Sequence, residues 1–175
     1  MSTEVTRYIQ HKNDAGPAWL RRISPQINRA GFGRDDEGYV DPVRLIYDNE
    51  LQMIGRGGEY EFDLGGRPHL LGSDMYIIIP AGTWHRVRAL RAGRARRSWL
   101  HFDWEFVAQP KETPFFTYAP GKPLRDAIKR PPHYIPGGIL HGPIPKAERV
   151  FELHERICER FERGTVQEIL SARGL

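Results

Sequence analysis

The run Gly72-Ser73-Asp74-Met75-Tyr76-Ile77-Ile78-Ile79-Pro80-Ala81-Gly82-Thr83-Trp84-His85 decides the fold. Gly72 to Asp74 reads as a turn, and residues 75–79 form an apolar run that suits a strand covered on both faces. Pro80-Ala81-Gly82 reverses the chain sharply, since proline fixes its own φ and glycine tolerates a positive one. A new strand then begins, with His85 directed into the mouth of whatever the strands enclose. Just upstream, Glu59-Tyr60-Glu61-Phe62-Asp63-Leu64 alternates strictly. Tyr60, Phe62 and Leu64 are expected to face a core while the carboxylates face water. Gly65-Gly66 supplies a tight hairpin turn after it.

Working outward, short β-branched and aromatic segments recur, each ended by Gly, Pro, Asp or Asn. Strands are expected at 26–29, 43–47, 50–55, 59–64, 69–71, 75–79, 84–89 and 97–106. The chain has 175 residues, 39% hydrophobic and 27% charged, with 18 glycines and 14 prolines. That is the composition of an ordinary folded chain rather than a disordered one, sized for one domain plus an appendage. We divide it into an N-terminal arm (1–25), a ligand-binding barrel (26–108), a proline-rich wrap or linker (109–145) and a C-terminal helical segment (146–175).

Within the last segment, 146–163 reads as an amphipathic helix with Val150, Leu153, His154, Ile157, Cys158 and Phe161 on one stripe. It could dock on its own barrel or pair with a second subunit. Thr165 and Glu168 form a capping-box pattern that starts another helix. No apolar run approaches a membrane span and the N-terminus lacks the apolar core of a signal peptide, so a cytoplasmic protein with no membrane partner is expected. The lone Cys158 excludes an internal disulfide and cannot alone make a thiolate metal site. The net charge of +4 arises largely from Arg86, Arg88, Arg91, Arg94, Arg96 and Arg97. Without a nucleic-acid-binding pattern around them, these arginines read as a solvated hairpin tip.

The corner from Gly72 to His85 resembles the second cupin motif, a Gly-Asp turn, an apolar strand and then P-x-G-x-x-H. Together with Arg44 through Gly58, the hairpin and Trp99-Leu100-His101-Phe102-Asp103-Trp104, it resembles the ligand-binding domain of AraC-family transcription regulators over 44–104. The resemblance implies a mainly β fold, a cupin-like double-stranded β-helix (jelly-roll) barrel with C-terminal α-helices. Enzymatic cupins hold a metal with H-x-H and a glutamate from the first motif plus the later histidine. Glu50 stands at a suitable distance before Gly57, but the histidine positions fall near 43–46, where this chain has Val, Arg, Leu and Ile. Half the ligand set is missing, so neither metal nor other cofactor is expected.

Sugar-sensing members of the family use an arginine, the corner histidine and a tryptophan, and the matching positions are Arg44, His85 and Trp99. An arginine carries five fixed donors, suited to hydroxyl-rich or anionic ligands. Strand alternation sends Val87, His101 and Asp103 inward as well. Glu50, His101 and Tyr76 complete the candidate ligand-binding set. No catalytic constellation stands out.

The function implied is an effector-sensing domain. It would bind a small polar, sugar-like metabolite and control DNA binding by a helix-turn-helix domain outside these residues, with a homodimer formed through the C-terminal helix. DNA would be a partner only through that other domain. The alternative is a stand-alone metal-dependent cupin enzyme of isomerase or dioxygenase type, built on Glu50, His85 and His101.

Overall fold

The computed structural model describes residues 25–105, 114–136 and 138–165. The arm, Phe106 and the second helix expected from Thr165 and Glu168 therefore lie outside, or run out of, the described residues.

Among the described residues, ten strands and one long helix follow in order. They are β1 (Gln26–Gly33), β2 (Arg44–Ile46), β3 (Asn49–Ile54), β4 (Glu59–Leu64), β5 (Arg67–Leu71), β6 (Met75–Ile79), β7 (Trp84–Arg91), β8 (Arg97–Asp103), β9 (Phe116–Tyr118), β10 (Leu140–Pro143) and α1 (Ala147–Arg163). One antiparallel sheet has the order β1-β8-β3-β6-β10 and the other β5-β4-β7-β2-β9. Without the two short outer strands these are 1-8-3-6 and 5-4-7-2, the interleaved order of an eight-stranded jelly roll made of two Greek keys. The chain crosses between sheets at every connection from β1 to β8 except the β4–β5 hairpin, whose turn uses Gly65 and Gly66 at φ 61° and 84°.

The two sheets meet over one apolar cluster. Ile54, Ile77 and Ile79 come from the first sheet, and Ile46, Tyr60, Phe62, Leu64, Val87 and Ala89 from the second. Glu59, Glu61 and Asp63 face outward on β4, as the alternation required.

Arg94 sits exposed in the turn between β7 and β8, as expected of a hairpin tip, but the other arginines are placed differently. Arg86, Arg88 and Arg91 lie along β7 beside Asp63, Glu61 and Glu59 at 3.5, 3.9 and 3.5 Å. Arg97 is buried against Asp35 and Asp41, and Arg96 stacks over Phe32 at 3.9 Å. Their acids come from neighbours in space, which a one-dimensional reading does not reveal.

The outer face of the first sheet is covered twice. Leu51, Ile78, Phe102 and Trp104 pack under Tyr134, Ile135 and Leu140 of the proline-rich segment. That segment is more than a wrap, because it adds β9 and β10 to the two sheet edges.

Helix α1 docks on its own barrel, with Ile157 and Phe161 against Ile27, Ala30 and Leu100. His154 donates Nε2–H to the Trp99 carbonyl at 2.9 Å and accepts from Arg96 at Nδ1. Burial and the Arg96 charge accordingly hold its pKa below the ordinary value despite the bond to Trp99. Gly164, at φ 67°, closes the helix with its N–H on the Phe161 carbonyl. Among the described residues no helix is long and apolar enough to cross a membrane.

Candidate functional site

The apolar cluster fills only part of the space between the sheets. Beside it lies a cavity of about 260 Å³ lined by Asp41, Arg44, Glu50, Gln52, Arg97, Trp99, His101, Phe115, Phe116 and Tyr118. Strand register explains the polar floor. Glu50 pairs with His101, Gln52 with Trp99 and Ile54 with Arg97, so alternate residues of β3 and β8 project inward together. Arg44 pairs with His85 on one side and Tyr118 on the other. These three side chains therefore share one face of the second sheet.

Glu50 is the hub. Its Oε1 accepts from Gln52 Nε2 at 2.6 Å and lies 3.5 Å from Arg44 Nη2 and 3.4 Å from His101 Nε2. Burial alone would raise its pKa, but the His101 and His85 imidazoles overcome that and hold the carboxyl well below its usual range. His101 is affected in the opposite direction. Burial lowers its pKa, yet Glu50 and Asp48 more than offset that and push it up to about 9. It is thus an imidazolium at neutral pH, with Nδ1 3.0 Å from Asp48 Oδ1.

The polar chain continues away from the cavity. Asn28 Nδ2 reaches Asp48 at 2.9 Å and Asp103 at 3.0 Å, and Asp103 holds Lys129 Nζ at 2.6 Å. The two cavity arginines differ in how tightly they are held. Arg97 is locked by Asp35 at 2.7 Å and Asp41 at 2.9 Å. Arg44 has looser contacts, 3.3 Å to Asp41 and 3.5 Å to Glu50.

Of the residues singled out in the sequence, Arg44, Glu50, Trp99 and His101 line the cavity together. His85 sits behind Glu50, almost wholly buried, with Nδ1 donating to the Thr83 carbonyl and Nε2 3.4 Å from Glu50 Oε2. Tyr76 is not part of the site. Ile77 and Ile79 take the inward positions of β6, which leaves Tyr76 on the opposite face, over Gly142 of β10. An apolar run of this kind hides which residues alternate inward.

Sequence reasoning missed Asp41, Gln52, Arg97 and the aromatic wall of Phe115, Phe116 and Tyr118. Gln52 and Arg97 could have been found by counting two from Glu50 and from Trp99. The aromatic wall carried no such signal.

These donors do not fit a divalent metal. His101 is engaged by a carboxylate at each ring nitrogen, Asp48 at Nδ1 and Glu50 at Nε2. The Arg44 guanidinium adds positive charge at the point where a ligand would be needed. Among the described residues no group of three His, Cys, Asp or Glu side chains could hold a metal ion.

Trp99 is seated against β1 at Gly31, where an added Cβ would fall 2.7 Å from the indole ring. Gly31→Ala is therefore expected to push the indole towards the cavity and to cost about 1–3 kcal/mol. Urea unfolding followed by tryptophan fluorescence would show both the lower midpoint and an altered native spectrum.

No protein-family model and no curated protein matches the sequence. Solved structures with similarity include the cupin domain of Cnp3 from Schizosaccharomyces pombe, 19% identical, covering 41% of this chain and 53% of that one, with a TM-score of 0.38. ToxT from Vibrio cholerae is 10% identical, covering 42% and 29%, with a TM-score of 0.35. An oxalate oxidase in complex with the substrate analogue glycolate is 13% identical, covering 69% and 63%, with a TM-score of 0.39. The chain spans less than two thirds of each of these three proteins. The jelly-roll fold follows from the strand order of this chain's own two sheets.

Proposed function

We propose that the cavity is the recognition site of a small-molecule sensing domain, and that its ligand is an uncharged, hydroxyl-rich, sugar-like metabolite. In the AraC-type arrangement that the sequence resembles, occupancy would control DNA binding by a separate domain. The observation that carries the ligand class is the interleaved lining. The cations of Arg44, Arg97 and His101 line the cavity beside the carboxylates of Asp41 and Glu50, with Asp35 and Asp48 paired to Arg97 and His101 behind them, so a charged ligand of either sign would meet like charge.

A hydroxyl group both donates and accepts, and the site offers both needs. Arg44 has donors to spare, and the buried Oε1 of Gln52 has no hydrogen-bond partner. Trp99 and the aromatic wall supply flat apolar surface for the ring face of such a molecule.

Thermal denaturation against aldopentoses, aldohexoses, inositol and small organic acids tests the reading. A neutral ring polyol at about 100 times its Kd is expected to raise the melting temperature by about 5–10 °C. Arg44→Ala should abolish that rise. A rise given only by organic acids, or by none of the solutes, would count against the proposal.

A further inference from the structure

The wall opposite the polar floor comes from a part of the chain with little regular structure, and Tyr47 bonds to it more than once, beside the β2 ladder, the Ala119 N–H on the Val43 carbonyl and the Arg29 and His101 side chains on Phe115. Phe116 and Tyr118 lie on β9, a three-residue edge strand that among the described residues pairs only with β2, and both remain partly exposed at the cavity mouth at 37% and 47%. Their rings lie 4.6 Å apart, tilted at 53° to each other. Beneath them Tyr47 is 2% exposed and bonds to this segment through both its backbone and its phenol.

The Tyr47 N–H donates to the Phe115 carbonyl at 3.4 Å, and its carbonyl accepts from the Lys129 N–H at 2.8 Å. Its phenol oxygen accepts the Leu124 N–H at 3.0 Å and shares a 2.6 Å hydrogen bond with Thr117 Oγ1. Three of these contacts lie on the side of the strand away from the cavity mouth or beyond its end. A short, half-exposed edge strand has few other bonds to keep it closed.

We propose that residues 115–118 are a gate over the cavity and that the Tyr47–Thr117 hydrogen bond is its latch, with Tyr47 a positioning residue and Phe116 and Tyr118 the moving wall. This rests on the sensing role of the same cavity and adds how a ligand enters. Strands β3 and β8, each paired on both sides, form the fixed floor. The gate opens by giving up the β2–β9 pairs while the jelly roll stays intact. Lys129, bonded to Asp103 at 2.6 Å, anchors the far end of the segment so that opening is confined to its aromatic part.

The test compares the full chain with Tyr47→Phe, Thr117→Val and Thr117→Ser by hydrogen exchange, and then by binding kinetics of whichever aldopentose or inositol binds the unaltered protein. In Tyr47→Phe and Thr117→Val, the amides of 116–119 and of β2 are expected to exchange at least tenfold faster, while those of β3 and β8 keep their rates. Thr117→Ser, which restores the hydroxyl, should behave as the parent. The association rate constant for the sugar should rise in the first two variants and not in the third.

Exchange that speeds up equally in β3 and β8 would make Tyr47 a general stability residue and overturn the gate. So would exchange at 116–119 in the parent as slow as in the floor strands. A binder whose association rate is the same in all four proteins overturns the gate but leaves the sensing role standing. Failure of every solute to bind, with the localised exchange still seen, removes the sensing role while retaining the latch.

Discussion

Replacing Glu50 with alanine is expected to cost about 3–5 kcal/mol of folding free energy, because it removes one partner from a buried ionic cluster and leaves the others in place. Glu50 is 1% exposed, so solvent does not take over its role. In the variant the His101 imidazolium and the Arg44 guanidinium each lose a carboxylate, and Gln52 Nε2 loses its acceptor. The measurement is urea unfolding, where the midpoint should fall with little change in slope. A second reading is the His101 titration by NMR. Its pKa, about 9 in the intact chain, should fall in Glu50→Ala, because Asp48 alone then opposes the desolvation. A variant within 1 kcal/mol of the parent, with an unmoved His101, would show that the cluster does not hold this ionic form.

Raising the pH should weaken the fold in a defined window. His101 binds its proton more tightly in the folded chain, at about 9, than in the unfolded chain, at 6.5. Its contribution is therefore complete below pH 6.5 and is lost as the pH rises through about 9. A gap of this width corresponds to a change on the order of 3 kcal/mol. Denaturation midpoints taken from pH 6 to pH 9 would show the fall, and His101→Gln should flatten it.

Two other buried groups act at higher pH. The thiol of Cys158, pushed up to about 11, and the phenol of Tyr60, pushed up to about 12, start to oppose folding above their unfolded values of 9.0 and 10.0. On the acid side the sign reverses. Glu50 is held well below its ordinary 4.5, so its contribution is present above that value and disappears as the pH falls through the folded one. Glu50, His101, Cys158 and Tyr60 together favour a window of about pH 5 to 6.5, from which His154, its pKa lowered by burial, subtracts as the pH falls below 6.5.

Much of the jelly roll was legible because its strands obey simple alternation. The run from Glu59 to Leu64 gave both its strand and its buried face, and the corner from Pro80 to His85 gave the reversal between β6 and β7. The site was legible to the extent that its residues share those strands. Arg44, Glu50, Trp99 and His101 face one cavity because β2, β3 and β8 place them there. Tyr76 misled because it stands in an unbroken apolar run from Met75 to Ile79, so nothing in the pattern says which face is inner. Phe116 and Tyr118 were invisible for another reason. Their strand exists only because β2 offers an unpaired edge, and that is a fact of tertiary structure rather than of local sequence.

The late pairing of β9 with β2 and of β10 with β6 has a consequence for how this protein could be cut or made. Each joins segments separated by more than sixty positions, so the β2 and β6 edges are covered by chain that is synthesised after the eight-stranded roll. A fragment stopped near residue 108 would carry every strand of the eight-stranded roll. It would nevertheless leave two backbone edges open to annealing with other copies, and its recess would be missing one side. A fragment meant to keep both outer strands and the walled recess is therefore expected to need residues to at least Pro143.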